Sequence, residues 1–181
     1  MLFLVCGVVA AVAPVPSPPE IAATGHILID FNSGSILSEK NADGRLEPAS
    51  LTKIMTAYVV LRELREGNIT LVDEVPVSEK AWRTPGSRMF IEVDTRVSVE
   101  QLLKGMIIQS GNDASVALAE HIAGSEDTFA RLMNQHAKRL GMDASNFTNS
   151  TGLPHPDHYT TARDIAKVSE ATIRELSLIH I

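Results

Sequence analysis

Cysteine is nearly absent. The one thiol, Cys6, lies in the apolar start MLFLVCGVVAAVA, so the rest of the chain holds none and can form no disulfide. Aromatic residues make up 4%, and no Lys/Arg run with interleaved aromatics occurs. With 16 basic against 22 acidic residues and a net charge of −6, there is no basic surplus to meet a phosphate backbone, so nucleic acid is not an expected partner. Long apolar runs are missing too. The N-terminal stretch is too short to cross a bilayer as a helix; it matches the apolar region of a secretory signal with small residues at Ala11 and Ala13. The segment PVPSPPE after it reads as a linker. Residues 1–20 are therefore expected to be a signal-like segment and a Pro-rich linker, and the protein to be exported.

What remains, with 44% hydrophobic and 21% charged residues over the whole chain, is ordinary for one globular domain that buries a core. From His26, HILIDFNSGSILSEK alternates apolar and polar residues on both sides of Asn32-Ser33-Gly34, which predicts a hairpin. Pro48 ends the extended segment, and Ser50 stands as the N-cap of a helix running to Glu66 before Gly67-Asn68. The stretch from Thr70 to Ser98 is turn-broken and predicts loops, a small helical turn and brief strands. Helical spacing resumes over Val99–Gln109, with Ser98 and Gln101 as a capping box, and Ser110-Gly111-Asn112 interrupts it. An Ala/Val-rich helix over Ala114–Ala123 is expected to be the buried, central one. Ser125 caps the next, whose acidic first turn and basic last turn before Gly141 suit the macrodipole. The polar loop NFTNSTGLPHPDHYTT follows, and Thr161 with Asp164 opens a final helix. A hairpin followed by helices is an α+β pattern whose sheet is unfinished.

Two spacings carry chemistry. Ser50 and Lys53, three residues apart on a helix, are neighbours, and a serine hydroxyl becomes a nucleophile when a lysine of lowered pKa takes its proton. The helix N-terminus adds partial positive charge and free N–H groups beside a developing oxyanion. Ser110-x-Asn112 is the second spacing. Each alone is cheap: Ser50 reads equally as a cap with a solvent-facing lysine, and Ser110-Gly-Asn112 as a helix-ending turn. His155 and His158 flank Asp157, but four ligands are not gathered there and no cysteine is near, so no metal is expected. His121 and His136 fall within helices and read as surface or packed residues.

The blocks ILIDFNSGSILSEKNAD, EPASLTKIMTAYVV, LLKGMIIQSGNDASVALAEHIAGS and NSTGLPHPDHYTTARDIA resemble, in order and spacing, the low-molecular-weight penicillin-binding proteins that act as D-alanyl-D-alanine carboxypeptidases, of the Gram-negative type. The resemblance runs from about Pro18 to Glu175. It implies the penicillin-binding-protein/β-lactamase-like transpeptidase fold, in which Ser50 is acylated, Lys53 is its general base and Ser110 relays a proton to the leaving amine. Asn112 would hold the substrate's peptide backbone and help fix Lys53 through its amide. The matching set of the wider group includes Lys-Thr-Gly, which occurs nowhere in this sequence. The resemblance therefore implies an incomplete domain over 21–175, with C-terminal strands missing. The closing Leu176-Ser-Leu-Ile-His-Ile181 departs from the family pattern and reads as translated sequencing adapter. It further implies a peptidoglycan pentapeptide stem as substrate, β-lactams as acylating ligands, no cofactor, a periplasmic location and an inner-membrane surface reached through the missing region. Trp82 and Arg83 would line the cleft rim. A serine β-lactamase and a non-catalytic cell-wall or β-lactam binding module are the competing readings.

Overall fold

The computed structural model describes residues 20–176. The signal-like segment lies outside them, as does the adapter-like tail apart from the backbone of Leu176. The hairpin forms as β1 (His26–Ile29) and β2 (Ile36–Lys40), antiparallel with His26 opposite Lys40 and a register shift between Leu28 and Ile29. Its turn is closed by Asp30, whose carboxylate accepts from the Ser33 N–H at 2.8 Å, and by Gly34 at φ +72°, a conformation glycine adopts at little cost.

Ser50 is not an N-cap. It sits inside a single 3-10 turn (Ala49–Leu51) that leads into α1 (Thr52–Glu66), and its hydroxyl caps no backbone N–H there. The displacement starts at Ala49, a non-glycine residue at φ +45°, which turns the chain into the helix one step before the serine. Gly67 ends α1 in the left-handed conformation, as the Gly67-Asn68 signal predicts. β3 (Glu74–Pro76) and β4 (Arg96–Ser98) pair antiparallel, with the short α2 (Glu79–Arg83) between them in sequence.

α3 (Val99–Gln109) begins with the predicted capping box, Ser98 and Gln101 each reaching the other's backbone. α4 spans Asn112–Ala123, so it starts two residues earlier than its apolar spacing suggests, with Gly111 at its N-cap. It is the central element: it packs against α1, α2, α3, α5 and β3, and Ala114, Ala117, Leu118 and Ala119 have no exposed surface. Small side chains let neighbouring helices approach closely, and Met55, Leu102, Leu103, Met106, Phe129 and Met133 fill the space around them. α5 (Glu126–Arg139) has Ser125 accepting from Thr128 N, and α6 (Ala162–Leu176) starts on Thr161, whose hydroxyl accepts from Asp164 N at 3.1 Å. The Asp164 carboxylate completes no box; it reaches out to Ala144 N, Ser145 Oγ and Lys167 Nζ. Among the described residues the strands form only two two-stranded sheets, and no helix is long and apolar enough to cross a membrane.

Candidate active site

Three hydroxyl and amine groups meet at the start of α1. Lys53 Nζ donates to Ser50 Oγ at 3.3 Å, and Ser110 Oγ donates to the same oxygen at 3.0 Å across sixty residues of sequence. Ser110 gets there because α3 ends on it in the left-handed conformation, φ +57°, which turns its side chain out of the helix and toward α1. Ser50 is exposed, while Lys53 is only 7% exposed.

That burial sets the electrostatics. Among the described ion pairs none includes Lys53, and removal from water pushes its pKa down from 10.5 to about 8. At pH 7 about a tenth of such amines are neutral and able to accept a proton. The ammonium's second partner is the Thr151 carbonyl, at 2.9 Å. The sequence reading put the Asn112 amide on Lys53; instead Asn112 Nδ2 donates to the Pro85 carbonyl at 2.6 Å, packed against Gly86. Asn112 is buried and lines the cleft together with Ser50 and Thr151.

The cleft encloses about 290 Å3, walled by Ser50, Gly86, Ser87, Asn112, Gly152 and His158. A second cavity of about 200 Å3 is lined by Ser50, Lys53 and Ser110 together with Ile54, Ala57, Met106 and Ile107. Trp82 and Arg83 are not among the residues lining either; they sit on α2, the guanidinium 5.8 Å from the indole ring. From that stretch it is Gly86 and Ser87 that reach the cleft, with Ser87 O accepting from Asn112 N at 2.7 Å.

The loop over 146–160 borders the cleft, where the family resemblance places it, but the sequence assigns none of its residues a role. Asn146 and Tyr159 exchange two backbone hydrogen bonds, and Thr160 exchanges two with Leu46, just ahead of Ser50. Within it Asn149 Oδ1 accepts from Thr151 N, Thr151 Oγ1 and Gly152 N. Thr56 Oγ1 donates to Ser150 O at 2.7 Å, and the buried Glu126 carboxylate accepts from Ser150 N and Oγ while pairing with Lys80 at 2.8 Å. Burial raises the Glu126 pKa, but the bonds from Lys80 and Ser150 outweigh it and hold the group ionised. His155 and His158 hold protein partners: His155 Nδ1 accepts from Asp157 N, and both His158 nitrogens are bonded, to Thr52 and Thr148.

Next to Asn112 on α4, Asp113, fully buried, accepts backbone N–H groups from Met89, Phe90 and Ile91 at 3.0, 2.9 and 3.3 Å. It thereby fixes the turn that runs from Ser87 past Phe90, itself at φ +63°. A nucleophile-type hydroxyl with an amine of lowered pKa and a second hydroxyl on it, in a cleft with a rigid back wall, is an arrangement suited to acyl transfer.

Comparison with known proteins agrees with that chemistry. A sequence model of the D-alanyl-D-alanine carboxypeptidase family, peptidase family S11, matches residues 12–180. The D-alanyl-D-alanine carboxypeptidase DacA of Haemophilus influenzae is 45% identical over 163 residues, 88% of this chain and 42% of its own length. DacC of Escherichia coli is 45% identical over 181 residues, 97% and 45%. Among solved structures, the D-alanyl-D-alanine carboxypeptidase DacD of Francisella tularensis superposes with a TM-score of 0.90 at 43% identity, covering 93% of this chain and 41% of that one. Penicillin-binding protein 5 of Haemophilus influenzae gives 0.87 at 45%, covering 90% and 48%. The chain thus spans less than half the length of each of these four relatives, with the penicillin-binding-protein fold over that span. Sequence blocks, fold and the Ser50–Lys53–Ser110 geometry converge: this chain belongs to the D-alanyl-D-alanine carboxypeptidase family.

Proposed function

We propose that this chain carries the acylating centre of an exported serine D-Ala-D-Ala carboxypeptidase that trims the pentapeptide stems of peptidoglycan in the periplasm. The observation that carries the reading is the buried Lys53, in no ion pair among the described residues, on the Ser50 hydroxyl, with Ser110 bonded to the same oxygen. Ser50 Oγ attacks the carbonyl of the penultimate D-alanine as its proton passes to neutral Lys53 Nζ. Collapse of the adduct breaks the peptide bond, and the leaving D-alanine amine takes a proton through Ser110. Water then hydrolyses the ester and restores Ser50. Asn112, lining the cleft, holds the substrate's peptide backbone. A β-lactam enters the same path, its ring amide taking the place of the peptide bond.

The carboxylate-binding Lys-Thr-Gly element, which occurs nowhere in these 181 residues, belongs on this reading to the part of the longer relatives that the chain does not span. The 181-residue chain by itself is then expected to release no D-alanine. The test is made on the complete gene product read from genomic DNA. It should release D-alanine from a pentapeptide and form a stable adduct with fluorescent penicillin, which peptide mass mapping places on the peptide containing Ser50. An adduct on a different serine, or penicillin hydrolysed rapidly with no adduct accumulating, overturns the proposal, the second result in favour of a β-lactamase.

A further inference from the structure

Thr52, Lys53 and Thr56 share one side of the first turns of α1, and Ala49 lies just ahead of them in the 3-10 turn. In most helices that face is apolar when buried. Here it is bound to the 146–160 loop by polar and close backbone contacts. A Cβ on Gly152 would lie 1.7 Å from Ala49 O, Thr52 Oγ1 meets His158 Nε2 at 2.8 Å, Lys53 donates to Thr151 O at 2.9 Å, and Thr56 donates to Ser150 O at 2.7 Å. Thr52, Thr56, Ser150, Thr151 and His158 are all at most 3% exposed.

The hydrogen bonds of His158 fix its tautomer. Thr148 N–H, which can only donate, points at Nδ1 at 3.1 Å, and Thr148 Oγ1 lies at the same distance. Nδ1 is therefore the acceptor, and in the neutral ring the hydrogen sits on Nε2 and donates to Thr52 Oγ1. Burial, with a smaller repulsion from His155, pushes the pKa of His158 down to about 4, so the ring stays neutral at physiological pH. Phe147 closes its flank edge-on at 5.7 Å. One end of the imidazole thus holds the loop three residues before Thr151, and the other holds the helical turn between Ser50 and Lys53.

We propose that His158 is a positioning residue for Lys53: as a neutral imidazole it ties the loop that presents the Thr151 carbonyl to the turn that carries Ser50, keeping the lysine amine dry and aimed at the hydroxyl. This rests on the reading of Lys53 as the base. If the tie is cut, the loop lifts from α1 and water reaches the ammonium. Desolvation is what depresses the Lys53 pKa, so hydration moves it back up, toward 10.5.

The experiment is a carbon-13 NMR titration of lysine-labelled complete gene product, wild type against His158→Ala and Thr52→Val, with penicillin acylation rates followed over pH 6–10. Thr52→Val removes only the hydroxyl partner at nearly constant volume and guards against a His158 variant that does not fold. The Lys53 midpoint is expected to rise by about one pH unit or more in both variants, with acylation at pH 7 about tenfold slower and largely recovered near pH 10. A merely structural role would lower the active fraction equally at every pH. Folded variants whose Lys53 midpoint stays at the wild-type value overturn the proposal, even where wild-type labelling upholds the proposed function. A midpoint that shifts in a protein that penicillin never labels upholds the positioning and overturns only the function.

Discussion

Replacing Lys53 by methionine in the complete gene product is expected to raise folding stability by about 1–2 kcal/mol at pH 7 and to slow acylation by penicillin about a thousandfold or more. The two effects have one cause. Lys53 is a buried cation that takes part in none of the described ion pairs, its pKa lowered from 10.5 to about 8 by desolvation. Below pH 8 the amine is charged in the folded and the unfolded chain alike, and the fold carries the whole cost of the dry ammonium, about 3 kcal/mol. Between pH 8 and 10.5 the folded state gives up the proton while the unfolded state keeps it, so stability rises with pH across that window. Methionine keeps the unbranched stem and removes the charge, but leaves Thr151 O without its donor, which offsets part of the gain. Urea midpoints should therefore be higher for the variant at pH 7 and converge with wild type above pH 10. A lower midpoint at pH 7 would remove the claim that Lys53 is held against its own hydration; labelling at the wild-type rate would remove its role as base.

The trade-off explains why the lysine is legible in the sequence as a chemical group and its environment is not. Ser50, Lys53, Ser110 and Asn112 stand out by type and spacing, and the structure brings the first three onto one oxygen. Caps at Ser98 and Ser125 were readable because a cap is settled within four residues by the chain's own N–H groups. Ser50 failed as a cap for the opposite reason: the left-handed turn at Ala49 is set against Gly152, about a hundred residues on, and no local pattern announces it. The same distance hid the contacts that the 146–160 loop makes with α1. Its composition reads as polar surface, yet Ser150, Thr151 and His158 are buried. One signal was available in the sequence: Thr52, Lys53 and Thr56 put three polar side chains on one side of the otherwise mostly apolar first half of the helix, and a buried polar stripe requires polar partners from elsewhere in the chain. Asn112 was assigned to Lys53 by family resemblance alone, and its amide bonds Pro85 instead.

Gly152→Ala should prove the most damaging single-methyl addition in the loop, at about 3 kcal/mol or more of folding stability and about a hundredfold in acylation rate. Two separate demands meet at this residue. Its φ of +86° lies where a side chain is strained, and the added carbon would sit 1.7 Å from Ala49 O and 2.4 Å from Ala49 C. Those are backbone atoms, which cannot swing aside as a lysine or methionine tail does, and Ala49 is already held at φ +45°. Either Ala49 moves and carries Ser50 with it, or the loop retreats and takes the neighbouring Thr151 carbonyl off Lys53. Gly34→Ala separates the two demands: φ there is +72° with nothing within 4 Å of the added carbon, so only the conformational cost of about 1 kcal/mol applies and acylation stays at the wild-type rate. Urea midpoints and penicillin acylation rates of the two variants, measured side by side, decide the matter. Equal losses at Gly34 and Gly152 would mean that the Ala49 contact contributes nothing beyond backbone preference. A loss at Gly152 several times larger, and in both quantities together, ties the position of the nucleophile to a glycine a hundred residues away.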